Sequence, residues 1–284
     1  MAEAKVTVPK IIEAKKEGRK LVMVTAYDYP FGLMADEAGV DMALVGDSLG
    51  MVVLGLDSTV PVTMDMMIHH IQAVVRGCRR AMVIGDMPFM SYNTGIRDAV
   101  INAGRLMKEG GCDAVKLEGG VDFAPVVGAI VKAGIPVQGH VGLTPQTASA
   151  LGGFKMQGKD AAAARKIIDD ASALEAAGAF SIVAEAVPAP LGGLLAETVA
   201  VPIIGIGAGV DVDGQVLVTH DMVGLFDRFV PKFVKQYTKV RPTIIDAIKA
   251  YGQEVRDGSF PAPEHGFGMP DEALAALKAA LKKD

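Results

Sequence analysis

The chain has 284 residues, half of them hydrophobic, with 28 basic and 33 acidic side chains and a net charge of −5. That is enough apolar chain for one large core, and with no block of Lys and Arg it excludes an extended nucleic-acid-binding face. No apolar stretch reaches the roughly 20 residues of a membrane span, residues 1–10 hold no apolar secretory core, and two cysteines, Cys78 and Cys112, make no disulfide framework, so the expected setting is cytoplasmic, with reduced thiols.

The N-terminal segment 8–16 is amphipathic and predicts a helix closing the bottom of the fold. Residues 21–26 read as a first strand ending at Tyr27-Asp28, and 31–38 as a helix stopped by Gly39. A second strand spans 42–46, followed by a Gly-, Ser- and Thr-rich loop over 48–63. Pro61 and Thr63 open a long helix with helical spacing through Met66, Ile68, Ile71 and Val75. The third strand is 81–85, with a helix over 96–109 that Gly110-Gly111 ends. The fourth strand covers 114–117, with a helix over 123–132, and the fifth covers 135–139, ending at His140. A long loop, 141–159, then precedes a strong helix over 161–177. The sixth, seventh and eighth strands read as 180–184, 202–206 and 215–219, with a helix near 191–199 between the first two of these. The remainder, 231–284, holds two helices split by 258–270.

Eight short apolar runs separated by helical segments predict an α/β protein, a (β/α)8 TIM barrel. We expect one domain over 1–284, with an N-terminal cap at 1–20, extra C-terminal helices and a tail at 258–284 that ends in a helix. In this barrel chemistry sits at the C-terminal ends of the strands. Asp47, Asp86 and Glu118 end the second, third and fourth strands there. Neighbouring strands lie ~4.8 Å apart, so the three carboxylates fall within roughly 10 Å. Such a group repels itself unless protons or a cation intervene, and an all-oxygen set suits Mg2+ or Mn2+ better than zinc. The competing reading is three helix-capping acids.

Lys116, two residues before Glu118, shares its face of the strand. It would hold a substrate carboxylate, balance the acids, or act as a Schiff-base lysine. Glu185 ends the sixth strand, opposite the second, among Val183, Ala184, Ala186 and Val187. Those apolar neighbours disfavour the ionised form, as a general base near neutral pH needs, and Pro188 and Pro190 argue against a capping role. His140 ends the fifth strand, where it would donate to a substrate oxygen or serve as a structural hydrogen-bonding group. The run Gly205-Ile206-Gly207-Ala208-Gly209 is compatible with phosphate binding or with close packing.

These motifs occur in a particular order: Thr25-Ala26-Tyr27-Asp28, Val45-Gly46-Asp47-Ser48-Leu49-Gly50, Asp86-Met87-Pro88, Lys116-Leu117-Glu118-Gly119-Gly120, Gly139-His140-Val141-Gly142-Leu143-Thr144-Pro145-Gln146 and Gly205-Ile206-Gly207-Ala208-Gly209. In that order, over about residues 8–267, the chain resembles the ketopantoate hydroxymethyltransferase family, whose wider relatives are the phosphoenolpyruvate mutase and isocitrate lyase barrels. The resemblance implies transfer of a hydroxymethyl group from 5,10-methylenetetrahydrofolate to 3-methyl-2-oxobutanoate. The product would be 2-dehydropantoate, made through a Mg-stabilised enolate in pantothenate and coenzyme A biosynthesis. It also implies that Asp47, Asp86 and Glu118 hold one Mg2+ per subunit, with Glu118 bound directly or through water. Asp47, Ser48, Asp86, Lys116 and His140 would contact the keto acid, Glu185 would accept the proton, and the assembly would be a homodecamer.

The chain departs from the family pattern near residues 264–267, with Gly266 where Ser is usual, and the last helix, 271–283, extends past the matched segment. An alternative activity is a related Mg-dependent lyase or transferase that makes or breaks a C–C bond in another 2-oxo acid. A catalytically silent barrel is a third reading, but it would have no need for Lys116 and Glu185 together with the three acids.

Overall fold

In the first strand, β1 (Leu21–Thr25), Leu21 and Met23 are buried on one face while Val22 on the other is half exposed. The seven strands that follow are β2 (Met42–Val45), β3 (Met82–Asp86), β4 (Ala114–Lys116), β5 (Val137–Gly142), β6 (Ser181–Glu185), β7 (Ile203–Ile206) and β8 (Gly214–Leu217). All pair in parallel with their sequence neighbours, and β8 returns to β1, so the sheet closes as an eight-stranded barrel. The computed structural model describes residues 4–282. The expected end of the last helix at Lys283 lies outside them.

Two apolar layers follow from the alternation of side chains along each strand. Outward-facing Val83, Val115, Val137, Ile182 and Ile203 join the larger core beneath the helices. Inward-facing Met23, Met42, Met82, Ile84, Ala114, Val183, Ile204 and Val216 fill the barrel itself. Helix α1 (Val8–Lys16) adds Ile11 and Ala14 to that inner cluster, as expected for a plug at the N-terminal end. Fully burying an aliphatic side chain of this kind contributes roughly 1.5–3 kcal/mol. Toward the C-terminal mouth the inward positions turn polar, from Met82 and Ile84 to Asp86, and from Ala114 to Lys116.

The outer helices include α2 (Tyr29–Glu37), α4 (Met64–Gly77), α5 (Ile96–Arg105), α6 (Ala124–Lys132), α7 (Ala161–Ala176) and α8 (Ala189–Thr198), after a one-turn α3 (Leu49–Val52) inside the loop that follows β2. Asp28, Thr63 and Asp160 cap α2, α4 and α7 by accepting from the N–H groups of Phe31, Met66 and Ala163. Helices α2 and α4 meet backbone to backbone: a Cβ on Gly77 would stand 2.6 Å from the Leu33 nitrogen.

Several boundaries differ from the sequence reading. β5 continues past His140 to Gly142, which lies opposite Glu185 on β6. Polarity marks a strand end only when the strand leaves the protein interior, and here the interior itself becomes polar. The helix expected over 96–109 turns π-helical at Leu106–Gly110. Only a loop, 207–213, joins β7 to β8, and β8 gives way to a single helical turn, α9 (Thr219–Met222). Of the described residues, no helix is long and apolar enough to cross a membrane.

The chain divides into two compact units, Met1–Tyr237 and Thr238–Asp284. The second contains α10 (Val240–Asp257) and α11 (Asp271–Ala280). Ile244, Ile248, Tyr251 and Val255 form an exposed stripe at helical spacing along α10, and the ring of Tyr251 meets that of Phe260.

Candidate active site

The ends of β2, β3, β4, β5 and β6 bring the sequence-predicted residues into one neighbourhood. Lys116 lies beside Asp86 in the β3–β4 register, and its Nζ donates to both carboxylate oxygens at 2.7 and 2.8 Å. Asp86 Oδ2 also accepts from the Asp47 main-chain N–H at 3.3 Å. Asp47, Asp86, Lys116 and Glu118 are all buried, at 4, 1, 4 and 3 % exposure. None of the acids caps the helix that follows it, because the N-cap positions of α3, α5, α6 and α8 are Ser48, Gly95, Phe123 and Pro188. The helix-capping reading therefore falls away.

His140 spans the gap between two acids. Its Nδ1 stands 3.6 Å from Glu118 Oε1 and its Nε2 3.3 Å from Glu185 Oε2. Neither contact has hydrogen-bond geometry, so the attraction is between charges. Glu185 is the least buried of these acids, with its side chain 16 % exposed. Ala186, the next residue, takes a left-handed φ of 48°. That conformation is unfavourable for alanine, and such strain gathers at functional sites. Ser48 is fixed by a 2.8 Å hydrogen bond between its hydroxyl and that of Tyr27.

The electrostatics follow from burial and crowding. Burial works against a charged imidazole, but Glu118 and Glu185 outweigh it and raise the His140 pKa to about 9. Burial likewise opposes the Lys116 ammonium, and Asp86, Glu118 and Asp47 overcome it. An ammonium held charged has no free electron pair, which removes support for the Schiff-base alternative. Burial, then Asp86 and Glu118, push Asp47 well above the usual carboxylate range. Glu118 moves the other way: despite burial, His140, Lys116 and the Gln146 N–H hold it below its ordinary value.

Among the described residues no three Asp, Glu, His or Cys side chains are arranged as a metal-holding group. The donor set still fits a hard divalent cation. Four carboxylates, Asp47, Asp86, Glu118 and Glu185, stand around two cationic groups, Lys116 and His140, and the donors are oxygens. The Gly205–Gly209 loop fits phosphate less well. The hollow there is lined by Gly207, Gly209, Val210, Gln215 and Phe233, with no cation among them.

Sequence reasoning missed Gln146 and Tyr92. Gln146 donates to Asp47 Oδ2 and to the Met87 carbonyl, both at 2.9 Å, and Tyr92 donates to Gln146 Oε1 at 2.6 Å. Gln146 stood in a quoted motif, but a lone glutamine in a loop carries no chemical pattern. Tyr92 carried no signal in the sequence; its ring packs edge-on to Phe123.

Comparison with known proteins adds two kinds of likeness. A solved phosphonopyruvate hydrolase superposes with a TM-score of 0.60 at 12 % identity, covering 99 % of this chain and 97 % of that one. A solved 2,3-dimethylmalate lyase of the phosphoenolpyruvate mutase/isocitrate lyase superfamily gives 0.57 at 14 %, covering 96 and 98 %. At such identities the likeness is one of fold alone. The proteins named 3-methyl-2-oxobutanoate hydroxymethyltransferase from Heliobacterium modesticaldum and Moorella thermoacetica are nearer. The first is 59 % identical over 94 % of this chain and 97 % of its own, and the second 60 % identical over 93 and 98 %. The sequence model of ketopantoate hydroxymethyltransferase matches residues 5–263. Matched over the span that contains the barrel, and similar to these relatives over nearly their whole length, the chain belongs to the ketopantoate hydroxymethyltransferase family.

Proposed function

We propose that this chain is an enzyme that transfers a hydroxymethyl group to 3-methyl-2-oxobutanoate, giving 2-dehydropantoate for pantothenate biosynthesis, with 5,10-methylenetetrahydrofolate as the one-carbon donor. The observation that carries this reading is a buried mouth, in a chain of this family, where a charged lysine and histidine stand among four carboxylates. Asp47, Ser48, Asp86, Lys116 and His140 bind the keto acid. Asp47 and Asp86, with Glu118 directly or through water, hold one Mg2+ per subunit, which when bound supplies positive charge that polarises the C2 carbonyl.

Glu185 is the general base. Its carboxylate takes the C3 proton, and the C–H electron pair moves into the C2–C3 bond and onto the C2 oxygen. Lys116 and His140 bring positive charge to that oxygen without reorganisation, because their partners already fix them. Both C–N bonds of the folate methylene break as water supplies the oxygen and the two protons that the folate nitrogens take up; C3 then bonds to the resulting formaldehyde-level carbon, and the new hydroxyl takes the proton that Glu185 removed. The loops after β2 and β5 keep bulk water from the carbanion. The active form is a cytoplasmic homodecamer in which each subunit carries one catalytic barrel.

Loss of the C3 proton in D2O, followed by NMR with Mg2+ and with or without tetrahydrofolate, tests the chemistry. Exchange is expected in wild type. Glu185→Gln should slow it by about 10²–10⁴-fold while leaving keto-acid binding nearly unchanged. Wild-type exchange in that variant would remove Glu185 from the role of base. A related reaction on another 2-oxo acid has only the fold likeness behind it. Absence of a tetrahydrofolate-dependent product from 3-methyl-2-oxobutanoate would favour it.

A further inference from the structure

Gln146 sits on the single turn Pro145–Thr147 at the start of the loop after β5, and is 4 % exposed. Four hydrogen bonds join it to four residues in the loops after β2, β3 and β4. Its side-chain Nε2 donates to Asp47 Oδ2 at the end of β2 and to the Met87 carbonyl just past β3. Its Oε1 accepts from the Tyr92 hydroxyl, and its main-chain N–H donates to Glu118 Oε2 at 3.0 Å.

The direction of these bonds is determined by chemistry. A carbonyl can only accept, so the amide NH2 must face Met87. The Tyr92 oxygen accepts from the Glu118 main-chain N–H at 3.3 Å, which leaves its single proton for Gln146 Oε1. The amide therefore has one orientation, and in it both N–H groups and the oxygen are engaged. Oδ2 of Asp47 and Oε2 of Glu118 are thus both tied to one residue. That leaves Asp47 Oδ1 for the site, and Glu118 Oε1 on the side of His140.

We infer that Gln146 is a positioning residue that selects which oxygen of Asp47 and of Glu118 faces the cation, and that latches the loop after β5 to this acid pair. The inference rests on the proposed role of those acids. Groups that orient metal ligands in this way typically change metal affinity by about 10–100-fold when removed.

Mn2+ alone is the probe, titrated into the whole protein and read by EPR, since the oxygen set accepts Mn2+ as it does Mg2+. Gln146→Met keeps the volume and the main-chain bond but removes the amide. It should weaken Mn2+ by about 10–100-fold and speed hydrogen exchange across residues 143–158. Tyr92→Phe, which keeps the ring against Phe123 and removes only the hydroxyl, should weaken Mn2+ in the same direction by a smaller factor. It also serves as the test if Gln146→Met does not fold. Wild-type Mn2+ affinity in folded Gln146→Met, or in folded Tyr92→Phe, overturns this inference alone. A wild-type protein that binds no Mn2+ overturns the metal assignment and this inference with it.

Discussion

Lys116 keeps its charge at 4 % exposure because Asp86 grips the ammonium through both carboxylate oxygens. A buried pair of this kind is costly to break from one side, on the order of 3–5 kcal/mol, because the partner left behind is an uncompensated charge. Asp86→Ala is therefore expected to lose Mg2+ affinity severely by calorimetry and to lower the urea midpoint. Unchanged Mg2+ affinity would show that the cation is held elsewhere. His140 makes a separate prediction about pH. Its pKa rises from 6.5 to about 9 on folding, so folding favours the protonated form. The stabilisation this provides is complete below pH 6.5 and is lost as pH rises through about 9. In EDTA, the wild-type urea midpoint should fall across that window, and His140→Gln should flatten the fall. An equally steep fall in the variant would assign the pH dependence to another group.

At the scale of elements, the β5–β6 ladder sets where Glu185, the proposed base, stands. Gly142, at φ 90°, lies against the Glu185 carbonyl, which accepts a 2.9 Å hydrogen bond from the Leu143 N–H. A Cβ at Gly142 would run into that carbonyl and into Val187. Gly142→Ala is thus expected to displace Glu185 and lower C3–H exchange at least tenfold, with a stability loss of roughly 1–3 kcal/mol from overpacking. Gly134 is the control: its φ is 88° but open space surrounds it. Gly134→Ala should cost only the left-handed backbone penalty, about 1–2 kcal/mol, and leave exchange at the wild-type rate. Equal exchange losses in the two variants would mean that global stability, not the ladder, governs the base.

At the scale of the molecule, a closed barrel removes every sheet edge, so further assembly must use helical or loop surfaces. The proposed decamer predicts a sedimentation-equilibrium mass ten times that of the subunit, unchanged by keto acid. A monomer at micromolar concentration would contradict it. The apolar stripe Ile244, Ile248, Tyr251 and Val255 on α10 is the kind of surface that a charged substitution at Ile248 should disturb.

The order of elements was legible in the sequence because parallel strands buried on both faces must be short apolar runs, and crossover helices must carry a 3.6-residue period. For the same reason Asp47, Asp86, Lys116, Glu118, His140 and Glu185 stood out as candidates: each interrupts or ends an apolar run, and the barrel brings them together. The tertiary structure decided how these groups pair. Asp86 with Lys116, His140 between Glu118 and Glu185, and Gln146 against the loops after β2, β3 and β4 are contacts between distant parts of the chain, 99 residues apart for Asp47 and Gln146. Local periodicity reports which side of its own element a residue faces. The partner it meets, and so its charge, is decided only when the barrel closes.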